Sequence, residues 1–132
     1  MRPISFLLVV LVSASLCGCV TIEVITPERL SGQQFAADSV PVAHIRADNW
    51  GWYLFKFIPL IAGNAAYPGS PAFFSHTVRL EPLVEAVTRR SQELGATLTD
   101  LQSTDKSAWR PLTLILWIRE VEITANASRP RH

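Results

Sequence analysis

Three observations predict an α+β fold: a small three-stranded antiparallel sheet in the order β-α-β-β, with one helix packed on one face. Residues 42–58 are rich in Trp, Tyr and Phe and repeat with a period of two. Residues 81–94 carry an apolar stripe at helical spacing, closed by Gly95. Residues 112–125 begin apolar on both faces and end in strict alternation.

The first strand is read over 42–58. Trp50, Trp52, Tyr53, Phe55 and Phe57 suit a pleated, half-buried surface, where flat rings pack against cross-strand neighbours. Alternation puts Ala43, Ile45, Ala47, Tyr53, Phe55 and Phe57 on one face. His44, Arg46, Asp48, Trp50, Trp52, Leu54, Lys56 and Ile58 take the other. Gly51, between two tryptophans, is where a bulge or bend would fall. Residues 59–75 read as irregular, because Gly63-Asn64, Pro68-Gly69 and Pro71 are turn signals.

The helix starts at 81 or 82. Pro82 suits a first helical position, where its fixed φ helps and its missing N–H is not needed. Leu80, Leu83, Val84, Val87 and Leu94 form the buried stripe, with Arg89, Arg90 and Glu93 pointing elsewhere. Gly95 supplies the left-handed stop. Residues 97–102 form a short strand and 103–111 a polar turn. In the last strand Val121, Ile123 and Ala125 alternate with Glu120, Glu122 and Thr124. Phe55 and Val87 are expected in the core between sheet and helix. One helix covers one sheet face, so Trp50, Trp52, Leu54 and Ile58, with Leu112, Leu114, Leu116 and Ile118, need another cover. The 59–75 segment, the N-terminal tether or a partner would have to supply it.

The N-terminus has Arg2, an apolar run from Ile4 to Leu16, and the sequence Leu16-Cys17-Gly18-Cys19. About a dozen apolar residues fall short of the roughly 20 that a span needs, so 1–18 reads as a targeting segment. An ordinary secretory signal, or an anchor continuing through Val20 and Ile25, would share this composition. The layout resembles the lipobox of bacterial lipoproteins, with the small Gly18 directly before Cys19. That resemblance implies cleavage before Cys19, acylation (a palmitate-type lipid) of its thiol, and attachment to the membrane through that lipid. Cys17 follows the bulky Leu16 and fits less well. Val20, rather than aspartate, follows Cys19. In a host with two membranes this implies the outer membrane, facing the periplasm. The organisation is then a signal peptide at 1–18, a lipid-anchored tether at 19–39 and a single α+β domain at 40–132. A short strand fits within the tether at 21–26, before Pro27 and Ser31-Gly32 interrupt it.

Charge and cysteine usage bound the function. Losing Arg2 takes Lys+Arg from 12 to 11, equal to the 11 Asp+Glu. A neutral chain without a basic stripe gives no footing for nucleic acid, whose phosphates demand clustered cations. The basic Arg129-Pro130-Arg131-His132 end reads as a frayed terminus. Acylation of Cys19 and removal of Cys17 leave no thiol for disulfides, nucleophilic catalysis or thiolate metal sites. His44 and His76 stand too far apart in sequence to suggest a metal site, and no cofactor is expected. Ser75, His76 and Asp105 could be drawn as a catalytic triad, but no nucleophile elbow accompanies them. No enzymatic activity is expected.

His44, Arg46, Asp48, Trp50 and Trp52 share a strand face and are the candidate binding surface, combining charge with aromatic rings. The competing reading is a solvated face with cross-strand ion pairs, in which Glu120 and Glu122 partner Arg46.

The block from Ala47 to Asn64, with its Gly-Trp-Tyr-Leu-Phe and Ile-Pro-Leu-Ile elements, resembles a group of small bacterial lipoproteins without an assigned activity. Phe73-Phe74, the helix ending at Gly95 and the apolar last strand extend the resemblance. It implies fold and location only. The sequence therefore leads to a lipid-anchored cell-envelope protein acting as a binding or scaffolding module. Its expected contacts are the membrane and either a second copy of itself or an envelope protein. The alternative is a small-molecule or envelope-polymer binding protein using the face that bears His44 and Trp52.

Overall fold

The computed structural model describes residues 19–26, 39–109 and 115–130. Residues 1–18, with Cys17 among them, and residues 27–38 lie outside it, as do Leu112 and Leu114. The described elements are β1 (Val20–Ile25), β2 (Ser39–Leu54), β3 (Ile58–Ala62), β4 (Ala72–Phe73), α1 (Leu80–Glu93), β5 (Thr97–Trp109) and β6 (Leu116–Pro130). The strands form one sheet in the order β4-β3-β2-β6-β5, and β1 also pairs with β2. Every pairing is antiparallel. β6 runs beside β2 along its length, while β1 pairs with residues 44–49 and β3 with residues 51–54. β1 and β3 therefore share the other edge of β2, end to end.

The expected three-stranded sheet is corrected to six strands. The main cause is a turn that carries none of the usual turn residues. The 42–58 stretch is broken at Leu54-Phe55-Lys56-Phe57, where the Phe57 N–H donates to the Leu54 carbonyl at 3.3 Å. Phe55 and Lys56 take φ of +49° and +74°. Tight hairpins need that left-handed geometry and usually obtain it from Asn-Gly or Asp-Gly. The turn takes Phe55 and Phe57 off the buried face and leaves them 50% and 72% exposed. The expected burial of Phe55 is thus overturned, whereas Val87 is fully buried.

Two further differences have local reasons. The turn signals of the 59–75 segment fall within 63–71, so the chain on either side stays extended and pairs as β3 and β4. The polar 103–109 run is an exposed edge strand rather than a turn. Edge strands carry such polar residues because one row of their backbone groups faces water. Its irregularity is a register shift between Thr99 and Gln102, with Asp100 at φ +52°.

The short strand foreseen within the 19–39 stretch runs Val20–Ile25 and is paired along β2. The sheet thus begins one residue after Cys19.

The core joins Ala43, Ile45, Ala47 and Tyr53 of β2 with Val121, Ile123, Ala125 and Ala127 of β6, and with Leu83 and Val87 of α1. Alternation puts the strand residues on one face, and their small size lets the helix approach. The helix ends on a Schellman motif: Gly95, at φ +62°, donates to the Gln92 carbonyl at 2.9 Å, and the Ala96 N–H donates to the Ser91 carbonyl at 3.1 Å. Arg129 belongs to β6, not to a frayed end. Its guanidinium donates to the Gly95 carbonyl at 2.8 Å and to the Leu94 carbonyl, where the helix dipole favours a cation.

Candidate functional site

Cys19 is exposed, yet its backbone is stitched into the sheet. The Trp50 N–H donates to the Cys19 carbonyl at 3.2 Å, and the Gly63 N–H donates to the Trp50 carbonyl at 3.0 Å. Cys19 and Gly63 thus meet where β1 and β3 abut. Gly63 is required there, because a Cβ on it would stand 2.6 Å from the Cys19 carbonyl oxygen. Fully buried Asn49 lies beneath the junction, and its amide donates to the Thr77 carbonyl at 2.9 Å. The Thr77 hydroxyl in turn donates to the Gly63 carbonyl at 2.7 Å. A group attached to Cys19 would therefore have no slack between it and the sheet.

The structure brings His44, Arg46, Asp48, Trp50 and Trp52 together on the face opposite α1. Alternation continues through Gly51 because the β2–β6 register is unbroken from Ala43 to Leu54. The irregularity sits on the β3 side instead, between Trp52 and Tyr53. The charged half of this face satisfies itself. Arg46 Nε lies 2.9 Å from Glu122, which also takes Lys106 at 3.2 Å. His44 Nδ1 lies 2.8 Å from Asn126 Oδ1. Burial pushes the Asp48 carboxyl above its usual range; Arg46 opposes that, while Glu120 and Glu122 add to it.

The other half of the face is apolar. Cross-strand pairing lines up Phe73, Ile61, Trp52, Ile118 and Ala108 in one row, and Ile58, Leu54 and Leu116 in the next. The Trp52 indole N–H is buried and makes no hydrogen bond. β1, β3 and β4 widen the sheet rather than fold across it. Among the described residues, no other element packs across this band, whose Leu54, Trp52, Ile61, Leu116 and Ile118 are half-buried.

A second cluster lies on the helix side and was not foreseen as a unit. The Tyr53 hydroxyl is 3.0 Å from His76 Nδ1, Arg119 Nη1 is 3.3 Å from His76 Nε2, and Arg119 Nη2 donates to Asp105 at 2.7 Å. A cleft of about 440 Å³ opens beside Arg119 and Asp105, bounded by the start of α1. The guanidinium can only donate, so His76 Nε2 accepts and Nδ1 carries the proton, directed at the Tyr53 oxygen. Arg119 therefore separates His76 from Asp105, and the Ser75 hydroxyl donates to the Phe73 carbonyl at 3.2 Å. Ser75, His76 and Asp105 do not form a nucleophile–base–acid chain. The parity of Val121, Ile123 and Ala125 already puts Arg119 on the helix side, a cation on an otherwise apolar face. That was the available signal.

This cluster carries a pH signature. Partial desolvation of the exposed His76 ring holds it below its ordinary pKa, and Arg119 and Arg79 lower it further against the opposing Asp105. A histidine depressed in the folded state contributes stability that is complete above its unfolded value of about 6.5 and is lost as pH falls through the folded value. The Tm is expected to fall as pH drops below about 6.5, and His76→Gln is expected to reduce that slope. Equal slopes for both proteins would show that His76 does not carry it.

No described helix is long and apolar enough to cross a membrane. Comparison with family models, curated proteins and solved structures returns no match for this chain.

Proposed function

We propose that this protein is a lipid-anchored binding or scaffolding module of the cell envelope, held by an acyl group on Cys19. Its binding surface is the sheet face bearing Trp50 and Trp52, and its partner is a protein, either a second copy or another envelope component. In a host with two membranes the anchor would lie in the outer membrane, facing the periplasm.

The observation that carries the binding role is the contiguous, half-buried apolar band through Ile61, Trp52 and Ile118, with no other described element packed across it. Contiguous apolar surface of this kind usually marks an interaction site. The small-molecule alternative has less support, since Arg46 and Lys106 are engaged by Glu122 and His44 by Asn126. The anchor rests on Leu16-Cys17-Gly18-Cys19 and on the exposure of Cys19.

Fatty-acid labelling in cells tests the anchor. Cys19→Ser is expected to abolish incorporation and Cys17→Ser to leave it; loss in Cys17→Ser alone would overturn the assignment. A photoreactive amino acid at position 52 of the membrane-held full chain tests the face. It is expected to give a defined protein adduct, whereas the same group at exposed Glu85, on the outer side of α1, gives none. Absence of an adduct from position 52 would remove the binding role from this face.

A further inference from the structure

We propose that the β2–β3 hairpin tip and the adjoining β4 edge form an aromatic rim that sits in the headgroup region of a phospholipid bilayer. The rim deepens the anchored reading of Cys19 and relies on it to bring the chain to the membrane.

Four observations converge. First, large apolar side chains crowd this edge and face water. Phe55 is 50% exposed, Phe57 72%, Tyr67 69% and Phe74 76%. Phe74 stands level with Leu60 of β3, to whose carbonyl its N–H donates at 3.1 Å. The amphipathic ring of Tyr67 suits the membrane–water boundary, and phenylalanine rings enter the headgroup–acyl boundary beside it.

Second, the tip keeps its rings at a conformational cost. Phe55 and Lys56 both hold positive φ, a region bulky residues avoid. Asn-Gly would close the same hairpin without strain. Such outliers persist where the side chain serves something other than the fold. Lys56 folds back, with Nζ 5.5 Å from the Trp117 ring centroid, so the rings flanking it are left as the tip.

Third, the rim offers no carboxylate of its own to an anionic surface. The chain has no Asp or Glu from 49 to 80. The neutral sum of the mature chain hides this asymmetry. Anionic headgroups repel carboxylates at close range.

Fourth, the anchor and the rim share one edge of the sheet. Cys19 abuts Gly63, at the start of the loop that carries Tyr67, and both line a small depression with Gly69 and Pro71. From the Cys19 level of β2 to the turn is about five residues, or roughly 17 Å at strand rise. A lipid on Cys19 and the rings of Phe57, Tyr67 and Phe74 can therefore meet one plane together. The partner-binding face remains on the flat of the sheet.

The test uses the full-length protein, purified from membranes and reconstituted into phosphatidylethanolamine–phosphatidylglycerol vesicles. An environment-sensitive fluorescent amino acid is placed at 57, 67 or 74, and at 106 on the far strand β5 as reference. Emission at the three rim positions is expected to shift to the blue and to be quenched by spin-labelled lipids, while 106 stays solvated. Vesicle flotation and the fatty-acid content of Cys19 are measured on the same samples. Acylated protein that floats with solvated probes at 57 and 74 would overturn the rim and leave the anchor standing. Probes shielded from water but not quenched by lipid would also overturn it and assign the rim to a protein contact. A chain without fatty acid whose probes are still quenched by lipid would support the rim and overturn the anchor.

Discussion

Leu83→Ala is expected to lower the unfolding free energy by about 2–5 kcal/mol. Leu83 is fully buried in the cluster that joins α1 to β2 and β6. The strand residues of that cluster include Ala43, Ala47, Ala125 and Ala127, which have no rotamer with which to fill a void. The cavity would therefore stay open, and the cost should fall in the upper part of that range. Against a total stability of about 5–15 kcal/mol, a single truncation of this kind is a large loss. Denaturant unfolding of the two proteins measures it. Phe55→Ala serves as the contrast: its ring is outside the core, so its midpoint should move far less. Equal losses for both variants would mean that the helix does not pack as described.

The second large effect is expected at Gly51. Its role is close approach, since its φ is not in the left-handed region. A Cβ there would stand 2.8 Å from Ala62 Cα, Ala62 Cβ and the Ile61 carbonyl oxygen. Two of those atoms are backbone and cannot swing away. Gly51→Val should therefore push β3 off β2, at about 1–3 kcal/mol or more. Amide hydrogen exchange gives the sharper reading. The amides of β3 should lose protection first, while those shared by β2 and β6 keep it. Unchanged protection across β3 would show that the strand pair accommodates a side chain.

The arrangement joins these effects to function through one edge. β3 and β4 carry the proposed rim and also contribute Ile61 and Phe73 to the apolar band. A change that loosens β3 should weaken both surfaces, whereas a change in α1 should reach them only through global stability. Gly51→Val and Leu83→Ala thus separate local from global loss.

Several features were legible in the sequence because they rest on local rules. The period-two pattern from Ala43 to Tyr53 assigned both faces of β2 correctly, and the unbroken β2–β6 register from Ala43 to Leu54 kept that parity through Gly51. The apolar stripe and Gly95 marked the helix and its end, because helical spacing and a positive φ are written in residue type. Arg46 and Glu122 paired across strands, as their parity on neighbouring strands suggested. The Cys19 assignment remains a statement about sequence, since residues 1–18 lie outside the described structure.

The strand count, by contrast, was decided by tertiary contacts. Phe55 and Lys56 have no intrinsic preference for the left-handed turn they occupy; the pairing of β3 with β2 and the Phe55 N–H donating to the Ile115 carbonyl at 2.8 Å hold them there. The polar 103–109 segment becomes a strand because β6 offers an open edge, and Val20–Ile25 does so because β2 offers another. The meeting of Tyr53, His76, Arg119 and Asp105 depends on the same assembly, since they come from β2, the segment before α1, β6 and β5. Residue type sets which face a side chain takes and where a helix stops. Whether an extended segment becomes a strand depends on an edge supplied by distant chain, and no local pattern encodes that edge.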